Sequence, residues 1–420
     1  MHLSRGFKQL ERVDDALSSF LGLLKKKELD SEVVHIEESI NRVLAEDVIS
    51  DADVPPFDRA AMDGYAVRAE DTYGASPSAP VVFRLIGSVH PGKKPDLKIG
   101  KLEAVWITTG SYLPDGADAV VMAEDAKRLG DEVEIYTSVP PWKNVDRAGE
   151  DIRKGDVILR KGTFLGPYEI AALCSINLSR VKVYRRVKVG IIATGDELIE
   201  VGDIITAGKV VNSSAPMIKL LMRDLPVEVK YYGIVRDETS HLLPILEKSI
   251  AENDLVLTIA GTSVGDKDLL FKAIEQAGGR IVVHGVTQMP GRPTLLAISP
   301  DGKPIIGLPG YPVATAISFM NFALPVIERI AGIEGERFVP MVRAKVASRI
   351  PSKPGVRHYA RVKLKRADGE IIASPVRVSG AGIISSLKDG DGLLVIPEEV
   401  EGVEKGSYAD VIVIKRYLRW

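Results

Sequence analysis

Hydrophobic and polar positions divide the chain into stretches of different periodicity. From residue 7 to 26, apolar residues recur at helical spacing between charged ones, and a second amphipathic pattern covers Ile36–Leu44. A third helix is predicted to start at Gly166–Ile170, which contains a proline suited to the first helical turn. These patterns predict a helical domain made of two segments, residues 1–47 and 144–180.

The stretch between those two segments has a different pattern. Residues 48–143 contain short runs of β-branched residues, such as Val81–Ile86 and Ala119–Met122, separated by frequent prolines and glycines. Short strands with frequent breakers are typical of a β-rich module. We therefore expect a β-rich insertion between the two halves of the helical domain.

The second half of the chain predicts two further domains. Buried strands, among them Val187–Ala193 and Leu255–Ile259, alternate with helices over residues 181–334, which favours a doubly wound α/β domain with a parallel sheet. Ligands of such a domain bind at the carboxyl ends of its strands. Residues 335–420 show alternating strands and a hairpin turn at Asp368–Gly369, which predict a small all-β domain.

Composition narrows the class of protein. The chain has 420 residues, 45% hydrophobic and 27% charged, and a net charge of −2, which gives no broad basic field for nucleic acid. No stretch approaches the ~20 apolar residues that span a bilayer, and no amino-terminal signal core is evident, so we expect a cytoplasmic protein away from membranes. Cys174 is the one cysteine, expected to be a buried, inert thiol. Scarce Asn and Gln beside many charges indicate a thermophilic source.

One segment combines stiffness with reactive groups. Val54–Arg68 begins with two prolines that hold it extended, and Asp63 precedes a glycine that permits a tight turn. The carboxylate of Asp63 is either part of a reactive site or part of an ordinary surface turn. Two loops carry a weaker signal of the same kind, at Thr109 and at Asp151.

Three loops after predicted strands of the α/β domain could bind a ligand. Each joins a strand to a helix and is rich in glycine, hydroxyl groups or acids, features that suit phosphate binding. Their candidate residues are Thr194, Gly195 and Glu197; Gly261, Ser263, Gly265 and Asp268; and Pro309 and Gly310. Glu197 and Asp268 either hold Mg²⁺ together with phosphate oxygens or cap the helices that follow.

Taken together, these motifs resemble one family over nearly the whole chain. Val54–Arg68, Thr194–Glu197, Ser263–Gly265 and Leu308–Gly310 occur in the order typical of the molybdopterin molybdenumtransferase (MoeA) family, which is related to the C-terminal part of gephyrin. The resemblance implies an interrupted helical domain, a β-rich insertion, an α/β molybdopterin-binding domain and a C-terminal β-barrel. It also implies an elongated homodimer.

The resemblance further implies a reaction and its participants. The family takes adenylylated molybdopterin, releases AMP and inserts molybdate with Mg²⁺ present; tungstate is the alternative oxyanion. Asp63 and Thr109 of one subunit would complete a site built on Glu197, Asp237 and Asp268 of the other. Substrate-binding residues would include Asp151, Arg292, Arg361 and Ser385, with the arginines suited to phosphate or oxyanion. The molybdopterin adenylyltransferase is an expected partner.

Departures from the family pattern keep other functions open. The usual Lys-Pro-Gly-Lys-Pro is Met289–Pro293, with arginine as its fourth residue, and Ala260, Tyr311 and Ala381 replace a glycine, an asparagine and a serine. All of them alter the predicted anion pocket rather than the scaffold. The alternatives are a paralogue that binds cofactor or partner without catalysis, and a molybdopterin adenylyltransferase.

Overall fold

The protein is described by a computed structural model that covers residues 10–24, 28–261, 269–377 and 380–418. The first predicted helix forms at Val13–Leu23. Its buried face, with Ala16 and Phe20, packs into the core of the α/β domain. The amino-terminal helix is therefore part of that core, not of a separate helical domain.

The helix predicted over residues 36–44 is wrong. The structure forms only a short 3-10 turn, Ile36–Ser39, because Asn41 adopts a positive φ of 58° that an α-helix does not allow. The flanking chain pairs as strands instead, Ser31–His35 with Arg180–Tyr184. Helix Pro167–Ser175 forms as predicted.

The small domain around that helix also contains two short strand pairs. Its core is formed mainly by residues from the two segments on either side of the β-rich insertion, including Leu44, Leu165 and Leu173. Cys174 lies on the outer face of the helix and is exposed, so the prediction of a buried thiol is wrong. The strand pairs are Val48–Ile49 with Val157–Leu159 and Arg59–Ala60 with Val145–Asp146.

The β-rich insertion forms a six-stranded sheet, as its pattern of short strands predicts. Apolar side chains pack on both faces of the sheet, with Phe83 in one cluster and Ile107 in the other. Short 3-10 turns lie at Ala69–Thr72 and Ala123–Asp125. In spatial order the strands are Ala119–Met122, Gly64–Val67, Glu103–Ile107, Val81–Val89, Glu132–Ile135 and Ala126–Leu129.

The α/β domain contains a six-stranded sheet with an apolar core on each face. The first four strands in spatial order are parallel, as predicted. The fifth, Leu295–Ile298, is antiparallel to both of its neighbours, and it forms a hairpin with Pro304–Leu308 because only a short turn joins the two strands. In spatial order the strands are Val227–Val235, Val187–Thr194, Leu255–Ile259, Pro304–Leu308, Leu295–Ile298 and Arg280–His284.

Helices cover both faces of this sheet. Residues 312–331 form one continuous helical stretch with a π-turn at Phe319–Ala323. Among the described residues this stretch has the length and hydropathy of a membrane span, but 56% of it is buried inside the protein. The helices are Ser214–Leu221, Thr239–Glu252, Leu269–Gln276, Pro312–Ser318 and Leu324–Ala331, and the strand pair Leu198–Ile199 with Val210–Val211 lies between the first strand and the first helix.

The C-terminal domain is a closed five-stranded β-barrel. The strand Arg357–Ala367 pairs with both Glu370–Arg377 and Gly392–Ile396, which closes the sheet on itself. The predicted hairpin turn is present, with positive φ at both Asp368 and Gly369. The other elements are Met341–Val346, Ile350–Pro351, helix Ser385–Asp389, Gly402–Val403 and Tyr408–Val413. The short strand Gln288–Met289 of the α/β domain pairs in parallel with the barrel strand Arg357–Ala367.

Candidate functional site

Strand order in the α/β sheet creates a crevice at the expected place. The chain leaves strand Val187–Thr194 toward one neighbour, Val227–Val235, and later returns to its other side as Leu255–Ile259. Open α/β sheets bind ligands at such a switch point, beyond the carboxyl ends of the strands. We call the loops that follow these strands, residues 194–197, 235–237, 260–261 and 308–311, the strand-end crevice.

Hydrogen bonds hold two of the loops together. The buried hydroxyl of Thr194 donates to Oδ1 of Asp237 over 2.5 Å. The backbone N–H of Asp196 donates to Asp237 Oδ2 over 3.4 Å, and that of Asp237 donates back to Asp196 Oδ1 over 3.3 Å. Glu197 lies exposed beside them. Acidic side chains predicted from separate motifs therefore meet at one edge of the sheet.

Close backbone approach explains the small residues of the crevice. A Cβ on Gly261 would lie 3.0 Å from Cγ2 of Thr194, and one on Gly310 would lie 2.9 Å from Cβ of Ala260. Gly261 and Ala260 both have φ near +72°, a left-handed conformation that favours glycine. A usual family glycine at position 260 thus has a conformational reason, and this chain carries alanine in that conformation.

A cavity of about 320 Å³ lies between the α/β domain and the barrel. We call it the interdomain cavity. It is lined by Gln288, Met289, Pro290, Gly291, Arg292, Pro293, Pro309, Tyr311, Ala314, Arg361, Gly380 and Ala381. Because Pro309 and Tyr311 also flank Gly310 in the strand-end crevice, the two features share a loop. Arg292 and Arg361, which are far apart in sequence, line the same cavity.

Arg361 is 1% exposed, an unusual environment for a cation. Its guanidinium donates to the carbonyl of Tyr359 over 3.1 Å, to Oγ of Ser386 over 3.3 Å and to the carbonyl of Gly380 over 3.4 Å. All three acceptors are neutral. Burial, with a smaller repulsion from Arg377, lowers the pKa of Arg361. A guanidinium stays protonated even so, and a desolvated cation attracts an anion strongly.

Sequence reasoning missed part of this environment. Ser385 is exposed, whereas the buried Ser386 contacts Arg361. Gln288, which lines the cavity and is 1% exposed, was not predicted either. Ser385 and Ser386 are adjacent and give the same signal in the sequence. Only the orientation of the short helix Ser385–Asp389 determines which of them contacts Arg361. A glutamine inside an apolar stretch before a Pro-Gly pair was the available signal for Gln288.

Asp63 and Thr109 meet in the β-rich domain. The N–H of Thr109 donates to Asp63 Oδ1 over 2.6 Å, and its hydroxyl donates to the same oxygen over 2.9 Å. These bonds hold the pKa of Asp63 below its ordinary value, so the exposed carboxylate is ionised at neutral pH. Gly64 begins the next strand, where a Cβ would lie 1.9 Å from the carbonyl oxygen of Val121. We call Asp63, Gly64 and Thr109 the Asp63 turn.

The remaining predicted residues divide into two groups. Asp151 is exposed in a loop whose backbone bonds to the Val54 segment, its N–H donating to the Val54 carbonyl over 3.0 Å. The hydrogen bonds described above join Asp63 to Thr109 and Asp151 to Val54, all within residues 54–151. Three predicted residues, Ser263, Gly265 and Asp268, lie outside the described residues.

Three protein-family models show which class of protein the chain belongs to. Family models match almost the whole chain: the MoeA N-terminal region (domain I and II) at residues 11–177, a probable molybdopterin binding domain at 190–329, and the MoeA C-terminal region (domain IV) at 343–414. This is the domain series predicted from the motifs, with the α/β sheet and its crevice inside the second match.

Similar proteins identify the family. A Methanocaldococcus jannaschii protein named putative molybdopterin biosynthesis protein is 39% identical over 412 residues, 96% of each chain. A Staphylococcus aureus molybdopterin molybdenumtransferase is 32% identical over 90% of each chain. The crystal structure of the molybdopterin biosynthesis MoeA protein from Pyrococcus horikoshii aligns with a TM-score of 0.82 at 33% identity, covering 96% of this chain and all of that one. The chain belongs to the MoeA family, which confirms the predicted family and fold class.

Proposed function

We propose that the protein is a molybdopterin molybdenumtransferase of molybdenum cofactor biosynthesis, which inserts molybdenum or tungsten into adenylylated molybdopterin and releases AMP. Relatives with this name, 32% identical over 90% of the chain, support the transferase class predicted from the sequence. The observation that carries the proposal is the interdomain cavity lined by Arg292 and Arg361. Guanidinium groups bind tetrahedral oxyanions through several hydrogen bonds at once.

The strand-end crevice supports a site for the molybdopterin and its phosphates. Thr194, Gly195 and Gly261 lie where such sheets bind ligands, and the predicted Ser263 and Gly265 follow Gly261 closely in the sequence. In the proposal, Glu197 and Asp237 polarise a water whose oxygen attacks the phosphoanhydride; the P–O–P bond breaks, AMP leaves, and a positioned carboxylate accepts the proton of the water. Pro309 and Gly310 shape the passage between crevice and cavity.

The acidic residues of the crevice also fit Mg²⁺. Within the described part of the chain no group of three or more acidic, histidine or cysteine side chains could hold a metal. Mg²⁺ needs fewer protein ligands, because it keeps waters and is bound through one or two carboxylates plus substrate phosphates. The exposed carboxylate of Glu197 meets that requirement, with the predicted Asp268 as a second candidate. The ion would neutralise phosphate charge as AMP leaves.

Release of AMP is the direct test. Purified protein with adenylylated molybdopterin, Mg²⁺ and either molybdate or tungstate should release AMP, and the two oxyanions compared at equal concentration give the preference. Arg292→Ala should raise the KM for the oxyanion about 10- to 100-fold, since a charged hydrogen bond contributes about 1.5–3 kcal/mol. The KM of Arg292→Lys for the oxyanion should lie between those of the wild type and Arg292→Ala. No AMP release with either oxyanion would contradict the proposal.

A homodimer belongs to the same proposal. The family resemblance puts the Asp63 turn of one subunit opposite the strand-end crevice of the other. Exposed apolar side chains on the α/β domain support a protein contact there, because solvent rarely faces so many close in sequence. They are Val201, Ile204, Ile205, Val210, Leu220 and Leu221.

Mixing two inactive variants tests this arrangement. Asp63→Asn and Glu197→Gln subunits, each inactive alone, should regain activity when unfolded and refolded together. Random pairing makes half of the dimers mixed, each with one intact site, so about a quarter of wild-type activity is expected. If both residues act within one subunit, the mixture stays inactive. Size-exclusion chromatography with light scattering gives the oligomeric state independently.

The remaining expectations complete the proposal. The substrates are small molecules, the protein works in the cytoplasm, and the molybdopterin adenylyltransferase supplies its adenylylated substrate. A non-catalytic paralogue is the second candidate, because Met289 lines the cavity where the family motif carries lysine. Calorimetry that detects cofactor binding, together with an assay that detects no turnover, would favour that candidate.

A further inference from the structure

A buried group of hydrogen bonds holds the loop that forms one wall of the interdomain cavity. The side-chain amide of Gln288 donates to the carbonyl of Gly291 over 3.1 Å and to Oγ of Ser318 over 2.8 Å. The hydroxyl of Thr294 donates to the same carbonyl over 2.7 Å. A Cβ on Gly291 would lie 2.2 Å from Nε2 of Gln288. The loop that carries Arg292 is therefore anchored at its centre.

Asn321 joins this group to the barrel. Its Nδ2 donates to Oε1 of Gln288 and to Oη of Tyr359, both over 2.9 Å. The carbonyl of Tyr359 in turn accepts the guanidinium of Arg361 over 3.1 Å. One amide thus bridges the two walls of the cavity, the loop with Arg292 and the barrel strand with Arg361. Asn321 lies in the π-turn Phe319–Ala323, a helix irregularity frequent at functional sites.

The side chains of this group are polar, although most of them lie inside the protein. Gln288 and Tyr359 are at most 3% exposed, and Thr294 and Ser318 are fully buried. Burial of polar groups is costly unless every group is satisfied, and satisfied networks specify one arrangement of a core. The hydrogen bonds of this network connect both walls of the cavity. The network therefore fixes the position of one wall relative to the other.

We propose that Asn321, acting through Gln288 and Tyr359, is a positioning residue that sets the spacing of Arg292 and Arg361 for a tetrahedral oxyanion. This inference rests on the proposed function of the interdomain cavity. Asn321 itself touches no substrate. Its loss lets the two walls shift relative to each other, which weakens oxyanion binding while the groups that act on the phosphoanhydride keep their places.

The test uses Asn321→Leu, a change of similar volume that removes both donated hydrogen bonds. We expect the Kd for molybdate or tungstate, measured by calorimetry on the full-length protein, to rise about tenfold, as loss of one to two hydrogen bonds predicts. The KM for the oxyanion should rise in parallel, with kcat at saturating oxyanion within about twofold of wild type. Tyr359→Phe removes one acceptor only and should give a smaller rise in Kd.

Asn253→Leu is the matched control. Like Asn321, Asn253 donates two hydrogen bonds, to Tyr232 Oη over 2.8 Å and to the Ser249 carbonyl over 2.8 Å, but it lies before strand Leu255–Ile259, at the opposite end of the sheet. It should lower the melting temperature without changing the Kd. Equal Kd changes in both variants, or none in Asn321→Leu and Tyr359→Phe, would overturn the inference. If Arg292→Ala also leaves the Kd unchanged, the proposed function of the cavity fails too.

Discussion

The Asp63 turn and the strand-end crevice supply the predicted acids in different ways. In the turn, one exposed carboxylate accepts two hydrogen bonds from Thr109, and the contacts remain within the β-rich domain. In the crevice, Thr194 and Asp237 come from separate strands, and a buried hydroxyl joins them. The turn is a local structure that presents a charge, whereas the crevice depends on the packing of a whole sheet.

This difference predicts whether a substitution changes activity alone or folding stability as well. An exposed carboxylate contributes little to folding, so substitution in the turn should affect chemistry alone. Residues of the crevice approach each other closely, with Gly261 beside Thr194 and Gly310 beside Ala260. Substitution there should affect folding as well as binding. The same distinction makes variants of the turn the cleaner probes of mechanism.

Asp63→Asn should show the largest effect. The proposed role of Asp63 at the reacting groups predicts that loss of its carboxylate lowers the rate of AMP release about 10²- to 10⁴-fold. The amide oxygen can still accept both hydrogen bonds from Thr109, so the melting temperature should change by less than about 2 °C. A steady-state assay of AMP and a thermal unfolding curve measure the two quantities.

Asp53→Asn is the control for this prediction. Asp53 lies in the same domain region, and its Oδ1 accepts the backbone N–H of Lys154 over 2.8 Å. It should keep both activity and stability. A large loss of stability in Asp63→Asn, with activity falling only in proportion to unfolded protein, would make Asp63 a structural residue and remove the contrast between the two regions.

Gly261→Ala should show the next largest effect, this time on stability. Its φ of +72° costs a side chain about 1–2 kcal/mol, and the new Cβ would lie 3.0 Å from Thr194. We expect the melting temperature of the α/β domain to fall by roughly 3–8 °C, measured by calorimetry.

Gly208→Ala separates the two causes of that loss. Gly208 has a φ of +81° but nothing within 4 Å of a Cβ, so it pays only the backbone cost. Gly261→Ala should therefore be the more damaging of the pair. Equal losses would mean that Gly261 and Thr194 separate without cost, and close packing in the crevice would then add nothing to the backbone effect.

Local patterns made much of the fold predictable. The strand Leu255–Ile259 and the hairpin at Asp368–Gly369 form as expected, because β-branched runs and positive-φ turn residues act over a few positions. The segment after Ile36 has helical spacing too, yet tertiary pairing of its neighbours and the left-handed Asn41 override that pattern. Periodicity reports which side chains prefer burial, but not which partner buries them.

The candidate site was predictable only in pieces. Motifs indicated Asp63 and Glu197 one by one, and the family resemblance added Arg361 and grouped the three. The interdomain cavity required the closed barrel and the edge strand Gln288–Met289, contacts between residues about 70 positions apart that no local pattern carries. The choice of Ser386 over Ser385 depends on helix rotation by a single residue.

Ala260→Gly should give the smallest effect, and its sign is the informative part. Ala260 has a φ of +72°, so glycine would relieve about 1–2 kcal/mol of strain, partly offset by about 0.5–1 kcal/mol of extra freedom in the unfolded chain. A rise of roughly 1–3 °C in melting temperature is expected. Ala251→Gly, in helix Thr239–Glu252, should instead lower it, because glycine disfavours helix. If Ala260→Gly were also destabilising, contact of its Cβ with Gly310 would outweigh the backbone strain, and packing rather than conformation would control this edge of the crevice.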